Sequence, residues 1–285
     1  MKTLSITGKN GYVANHLAQD LGGKYRILRT DVKTNAWEQE DWSQVDVVIH
    51  AAALVHNNQP DATMEDYMKV NYALTKNIAQ KAKASGVKQF IFMSTANVYG
   101  LTGQVGKPVM IMSETPIQPR TAYGISKWYA EGALNELASV EFKVAHLRPP
   151  MIYGPGAPGN FSRLEKVAKR LPIIPDIQNQ RSAIFIKHFT QFVETLIQSE
   201  NGGVYHPQDG FDLNTTRVIQ TIRKIQGKKT LTIPLPNRLI KSLNRVGIAR
   251  KLYGNLKYDL HIDEVSLDYP QKDFYTVMAL TLNHQ

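Results

Sequence analysis

Leu4-Ser5-Ile6-Thr7-Gly8-Lys9-Asn10-Gly11-Tyr12-Val13-Ala14 is the stretch on which the fold turns. A short apolar run enters a glycine turn, and a helical pattern follows at once. Glycine, lacking a Cβ, lets such a turn be tight and lets backbone N–H groups approach an anion at the positive end of the next helix. Gly8 and Gly11 fill the first two places of a Gly-x-x-Gly-x-x-Gly form, and Ala14, the smallest replacement, fills the third, where helix and strand pack closely. Taken alone, the pair also reads as an ordinary glycine turn.

Working outward, Leu4 to Ile6, Arg26 to Leu28, Val45 to His50, Phe90 to Met93 and Val144 to Leu147 read as strands buried on both faces. Helical patterns separate them. The clearest are Thr63 to Ser85, stopped by Gly86, and Tyr123 to Ala138, where Trp128, Ala130, Leu134 and Leu137 recur near helical spacing. Strand and helix in alternation require crossovers and a parallel sheet covered on both sides. The expected fold is α/β, a doubly wound, Rossmann-type parallel sheet with a smaller C-terminal substrate lobe, and ligands of such sheets bind at the carboxyl ends of the strands.

Proline and glycine crowd the stretch Pro149 to Gly159, which no regular element tolerates. A boundary is expected there, with residues 1–154 as the dinucleotide-binding domain and 155–285 as a partly discontinuous lobe, some segments returning to the sheet. Helices are expected around Phe161 to Leu171, Lys187 to Ser199 and Thr215 to Gln226, the last closed by Gly227, and a strand near Val204 to His206.

Composition removes several function classes. The chain contains no cysteine, so disulfides, a thiolate nucleophile and cysteine-held metal are all excluded. No apolar stretch approaches the roughly 18 to 20 residues of a membrane span, and the first residues are too short for a signal-peptide core, so the cytoplasm is the expected compartment. Between Leu213 and Tyr258 lie 11 Lys or Arg and no acid, which accounts for the whole net charge of +10. As one helix, Asn237 to Leu252 sets Leu239, Ile240, Leu243 and Val246 opposite Arg238, Lys241 and Arg245. Segment 237–252 then reads either as a packed helix with a solvated basic face or as a peripheral membrane contact. Nucleic acid is not expected, because no interleaved aromatics accompany the charge.

Asp31 ends the second strand, 23 positions after Gly8. An acid there accepts hydrogen bonds from ribose hydroxyls and favours NAD, whereas Arg29 and Lys33 beside it suit the 2′-phosphate of NADP. Asp41, near the third strand, is placed either against an adenine amino group or in a solvated loop. Tyr123 and Lys127 stand four apart, on one helix face. A phenol with pKa near 10 is a poor proton shuttle at neutral pH, and a neighbouring ammonium favours its ionised form. A surface pair is the other reading of this spacing. Ser94 and Thr95 end the strand Phe90 to Met93 in a hydroxyl-rich turn, either at the chemistry or as simple caps.

Six motifs in order, Thr7 to Ala14, Asp46 to Ala53, Val70-Asn71, Ser94 to Gly100, Tyr123 to Lys127 and Arg148 to Gly156, resemble the extended short-chain dehydrogenase/reductases, in particular the NAD-dependent epimerase/dehydratase family that acts on nucleotide sugars. The resemblance covers nearly the whole chain. It implies that Thr95, Tyr123 and Lys127 are catalytic, with Ser94 beside them. It implies a cofactor groove formed by Gly8, Asn10, Gly11, Tyr12, Val13, Asp31, Asp41, Ala51, Ala52, Asn71, Ser94, Tyr123 and Lys127, with Pro149 and Met151 at the nicotinamide. Thr95, Asn97, Asn160 and Arg181 would meet a UDP-sugar, Arg181 at its diphosphate. No metal is implied, and a homodimer is.

Departures from the family pattern narrow the reaction. Members that eliminate water or decarboxylate carry an acid just after the Ser-Thr turn, where this chain has Ala96 and Asn97; members that invert C3 or C5 use a cysteine. Exchange at one carbinol carbon, C4, remains. Two readings follow, a UDP-4-keto-6-deoxyhexosamine 4-ketoreductase and a UDP-sugar 4-epimerase that retains its NAD. The second lobe is similar to UDP-hexosamine 4-ketoreductases of the N-acetylquinovosamine type over Asn179 to Ser182, His206 to Gly210 and Lys251 to Leu256, although Lys187-His188 replaces the usual acid-asparagine pair. A non-catalytic dinucleotide-binding regulator is the reading from another class, and the intact Tyr123/Lys127 pair with Thr95 opposes it.

Overall fold

The computed structural model describes residues 1–55, 61–263, 269 and 273–282. Contacts divide the chain into two compact units, the first made of Met1–Gly100, Ile117–Pro149 and Phe189–Pro207, the second of Leu101–Pro116, Pro150–His188 and Gln208–Gln285. The division thus recurs along the chain rather than falling at one point.

In the first unit the strands are β1 (Thr3–Thr7), β2 (Arg26–Thr30), β3 (Val47–His50), β4 (Gln89–Met93), β6 (Lys143–Leu147) and β10 (Gly203–Tyr205), numbered through the whole chain. They form one sheet in the order β10-β6-β4-β3-β1-β2, parallel throughout. The helices are α1 (Tyr12–Leu21), α2 (Met64–Tyr67), α3 (Leu74–Ala84), α4 (Ala122–Leu137) and α6 (Ile186–Ser199), the last entering this unit at Phe189. β1, β3 and β4 are buried along their full length, as continuous apolar runs in a two-sided sheet must be. β2 is not: it is the edge strand and stays half-exposed, because only one neighbour covers it.

Chain order reverses between β1 and β3, so their carboxyl ends flank the crevice where doubly wound sheets bind ligands. A hydrogen-bonded chain fixes this crevice. Ala52 N–H donates to Thr7 Oγ1 (3.2 Å), Thr7 Oγ1 meets His50 Nδ1 (2.8 Å), His50 Nε2 meets Thr75 Oγ1 (2.9 Å), and Thr75 Oγ1 donates to the Asn71 carbonyl (2.8 Å). Only one direction of donation satisfies every link, with neutral His50 protonated on Nε2. Burial, with a smaller contribution from Lys127, holds His50 down to about 3, in agreement.

The second helical stretch contains a feature its periodicity conceals. α2 begins with a capping box, Thr63 with Asp66, and gives way to a π-helical segment Met68–Ala73 before α3. The bulge carries Asn71 fully buried. In α4, Ala130 and Leu134 are buried, but Trp128 is 42% exposed rather than part of the core face.

Among its described residues the second unit holds three two-stranded parallel sheets. They pair β5 (Met110–Ile111) with β12 (Lys257–Tyr258), β7 (Met151–Tyr153) with β9 (Ala183–Phe185), and β8 (Ile173–Asp176) with β11 (Leu231–Pro234). Its helices are α5 (Asn160–Arg170), α7 (Thr215–Ile225), α8 (Asn237–Ser242), α9 (Gly247–Tyr253) and α10 (Phe274–Leu282). The expected single helix over Asn237 to Leu252 is broken. α8 runs into a 3-10 turn, Leu243–Arg245, and Val246 is extended before α9 begins at Gly247. Gly247 and the β-branched Val246 are poor helix formers, so the apolar period continues while the backbone does not.

Candidate active site

β4 ends at Met93, and the chain turns sharply through Ser94 and Thr95 into a 3-10 turn, Ala96–Tyr99. Thr95 caps that turn, its Oγ1 accepting from Asn97 N–H at 3.2 Å. Gly100 closes the turn at φ +64, and a Cβ there would stand 1.8 Å from the Gln118 carbonyl oxygen, so no other residue fits. α4 starts from Thr121, whose Oγ1 accepts from Gly124 N–H at 3.0 Å. A Cβ on Gly124 would lie 2.7 Å from the Asn97 carbonyl oxygen. Glycine here lets the first turn of α4 press onto the strand-end turn, which brings Tyr123 to Thr95.

The lysine one turn later is fully enclosed. Lys127 Nζ donates to the Met93 carbonyl at 2.7 Å and lies 4.5 Å from the centre of the Phe92 ring. Burial lowers its pKa to about 7, against an opposing pull from Glu131. Tyr123 moves the other way: burial pushes the phenol up to about 12, Thr95 pulls it back as a hydrogen-bond partner, and Tyr67 adds to the rise. The expectation that the ammonium makes Tyr123 easier to ionise is not met, for Lys127 is not among the groups that move it. Desolvation dominates both groups, and a lysine near pKa 7 supplies only part of a charge at neutral pH.

Beneath the pair lies a network that sequence reading left unassigned. Ser94 Oγ donates to Glu131 Oε1, and Glu131 takes a bidentate pair from Arg148 at 3.0 and 2.6 Å. Arg148 Nη1 donates to Tyr99 Oη at 2.9 Å, and Tyr99 Oη meets His206 Nε2 at 2.6 Å. All five residues are buried. Burial alone would raise Glu131, but the hydrogen bonds and charge of Arg148 outweigh it and hold the carboxyl below its ordinary value. One signal was available: Glu131 follows Lys127 by four, on the same helix face. Its partners, far off in sequence, left none.

The glycine turn fits a dinucleotide. Gly8 has φ +83, and a Cβ on it would stand 2.9 Å from Ala52 N; a Cβ on Gly11 would be 3.1 Å from the Gly8 carbonyl oxygen. No side chain caps the first turn of α1, so its leading N–H groups lack a side-chain acceptor. The buried Tyr12 hydroxyl has no hydrogen-bond partner among the described residues. Asn10 and Gly11 are exposed, while Val13, Ala51 and Ala52 are half-buried around this turn and the end of β3.

Other expected residues are engaged in ways the sequence did not show. Asn71 accepts from Leu54 N–H at 2.7 Å and donates to the Leu54 carbonyl and Ser126 Oγ at 3.0 and 3.1 Å, so it ties the loop after β3 to α4. Asp31 is exposed at the end of β2 and accepts from Lys33 N–H at 3.0 Å. Arg29 donates to the Lys9 carbonyl and to Asn15 Oδ1 (2.7 Å), which binds it to the glycine turn. Asp41 turns both carboxylate oxygens onto Ser43. Pro149 is buried, its carbonyl receiving Ala96 N–H at 3.2 Å, and Asn97 is exposed.

Met151, Asn160 and Arg181 belong to the second unit. Met151 opens β7 and Asn160 opens α5, exposed behind Gly159. Arg181 is exchanged backbone-to-backbone with Leu213, and its Nη1 donates to the Gly254 carbonyl at 2.8 Å. Burial lowers its pKa, and no carboxylate pairs with it among the described residues. In the same unit, His188 contacts Asp209 Oδ1 at 2.7 Å, and Asp209 also accepts from Tyr153 Oη and Phe185 N–H. Among the described residues no group of three or more His, Asp or Glu could hold a metal, and no helix is long and apolar enough to cross a membrane.

Residues 4–206 match the model of the NAD dependent epimerase/dehydratase family. A UDP-glucose 4-epimerase of Vibrio cholerae is 28% identical over 289 residues, covering 91% of this chain and 88% of that protein. In structure, the UDP-glucuronic acid 4-epimerase of Bacillus cereus, solved with NAD, superposes with a TM-score of 0.74 at 16% identity, over 98% of this chain and 96% of its own. A dTDP-4-dehydrorhamnose reductase of Clostridium acetobutylicum gives 0.65 at 20% identity, over 83% and 85%. At such identities the structural likeness is one of fold.

Proposed function

The chain belongs to the NAD dependent epimerase/dehydratase family, and from that premise we propose that it exchanges hydride and proton at C4 of a UDP-linked sugar. The observation that carries this reading is the meeting of Tyr123, Lys127 and Thr95 at the carboxyl end of β4, with Ala96 and Asn97, not a carboxylate, in the turn behind them. Bound at the glycine turn, NAD supplies the acceptor and donor of hydride. Gly8, Gly11 and the uncapped start of α1 hold its diphosphate, Ala51 and Ala52 floor the groove, and Asp31 takes the ribose hydroxyls. Tyr123 takes or returns the proton of the C4 hydroxyl, and Thr95 orients that oxygen. Lys127, anchored on the Met93 carbonyl, stands one helical turn from Tyr123. Arg181, half-buried and with no carboxylate partner among the described residues, suits the diphosphate of the sugar nucleotide, and Asn160 its sugar side.

The full-length likeness to a UDP-glucose 4-epimerase favours epimerisation. Reduction of a UDP-4-keto-6-deoxyhexosamine is the second reading, favoured by the likeness of Asn179 to Ser182 and Lys251 to Leu256 to the 4-ketoreductases. Proton NMR of UDP-glucose and UDP-N-acetylglucosamine incubated with the protein distinguishes the two. An epimerase yields the C4 epimer with no net change in absorbance of reduced cofactor; a reductase leaves both sugars untouched and oxidises one NADH or NADPH per UDP-4-keto sugar. Neither outcome, in protein that binds NAD, would remove the assignment to C4. The exposed aromatic side chains Trp128 and Tyr129 of α4 are the face offered for a homodimer.

A further inference from the structure

The basic surplus between Leu213 and Tyr258 falls into two settings. Some of it is used inside the second unit: Arg223 is buried and donates to the carbonyls of Ala168 and Lys229, Lys257 pairs with Asp212 at 3.1 Å, and Arg217 lies over the Phe274 ring. Arg238, Lys241, Arg245, Arg250 and Lys251 differ. All five are exposed, and none has an acidic partner among the described residues.

Large apolar side chains stand among these cations. The extended backbone at Val246 splits the apolar face that one helix would have kept together. Ile240 and Leu243 turn inward against Val105, Ile177 and Tyr253. Leu239, Val246 and Ile248 remain outside, at 53, 48 and 70% exposure. The chain reaches α8 directly from β11, where the outward face is also apolar. Leu231 pairs in register with Ile173, both are exposed together with Ile233, and Ile174 on the opposite face is buried. Single exposed leucines are ordinary, but six such residues in adjoining elements, set among unpaired cations, are not.

Charge and apolarity together select the occupant. A nucleic acid would neutralise the cations and leave the aliphatic side chains in water. An anionic bilayer accepts both, its headgroups meeting Lys and Arg while Leu, Ile and Val enter the acyl boundary. We propose that the face built by α8, the Leu243–Arg245 turn and α9, continued by the outer side of the β8–β11 pair, docks the protein peripherally on an anionic lipid surface.

Sedimentation of the full chain with vesicles tests this, using phosphatidylcholine alone against phosphatidylcholine with roughly one-third phosphatidylglycerol. Binding is expected only to the anionic vesicles, and to weaken with salt. Arg238→Gln, Lys241→Gln and Arg245→Gln together should lower the partition coefficient on the order of 100-fold, from a few-fold per cation. Leu239→Ser, Val246→Ser and Ile248→Ser should lower it at least tenfold, by about the burial of three aliphatic side chains. Thermal melts of both triple variants, matching the parent, show that the fold is intact. Failure to bind anionic vesicles overturns the proposal. So does equal binding by parent and both variants, retention of duplex DNA without vesicle binding, or a self-association that the serine triple abolishes while vesicles are ignored.

Discussion

Lys127 carries a cost that its function must justify. Its amine is enclosed with the Met93 carbonyl and the Phe92 ring, and its pKa is about 7 against 10.5 for a free lysine. Between those values the unfolded chain binds a proton that the folded chain does not, so stability rises with pH through that window; below it the full penalty is present. Lys127→Met should therefore be more stable than the parent at pH 7, and its advantage should shrink by about 2 kcal/mol by pH 9. Denaturant unfolding at the two pH values measures this. An advantage that is constant with pH would mean that the lysine keeps its proton in the folded protein through this window, as a water-accessible amine does. The neighbouring phenol is tested by rate: Tyr123→Phe should lower turnover by roughly 10²- to 10⁴-fold with cofactor affinity unchanged. Unaltered turnover would exclude Tyr123 as the proton carrier.

α4 is held at its first turn and at its middle by features of different visibility in the sequence. Its first turn rests on Gly124 against Asn97, and its middle on the Glu131–Arg148 pair. Glu131→Ala would leave Arg148 buried without its carboxylate, and should cost about 3 to 5 kcal/mol; Glu131→Gln, which keeps the shape, should cost less. If calorimetry finds the alanine variant within about 0.5 kcal/mol of the parent, the range of inert surface changes, the pair does not anchor the helix. The helix itself was legible, because Tyr123, Lys127, Ala130 and Leu134 follow its period. Its anchor was not, since Tyr99 and His206 reach it from 107 residues apart. Trp128 misled for a related reason: periodicity places a residue on a face without saying whether that face is covered. Likewise, the break at Val246 was hidden by an apolar period that runs on through it.

Across the whole molecule, the parallel sheet was readable because two-sided burial writes each central strand as an unbroken apolar run, and the edge strand β2 departs from that pattern where burial does. The second unit was less legible. Its strands are two to four residues long, too short for any period, and their partners lie far along the chain. What links the sheet to function is cofactor choice, which the ends of β1 and β2 decide together. Asp31 presents a carboxylate, and Arg29, one of the two cations suited to a 2′-phosphate, is bound to Lys9 and Asn15, leaving Lys33. NAD should therefore raise the melting temperature more than NADP at equal concentration, by about 2.7 kcal/mol of added stability at a hundredfold excess over its dissociation constant. Asp31→Ala should narrow the gap, because it removes both the ribose acceptor and the charge that repels a phosphate. A larger shift with NADP in the parent would mean that Lys33 outweighs Asp31, and would move the reading from a retained NAD toward a reductase supplied with NADPH.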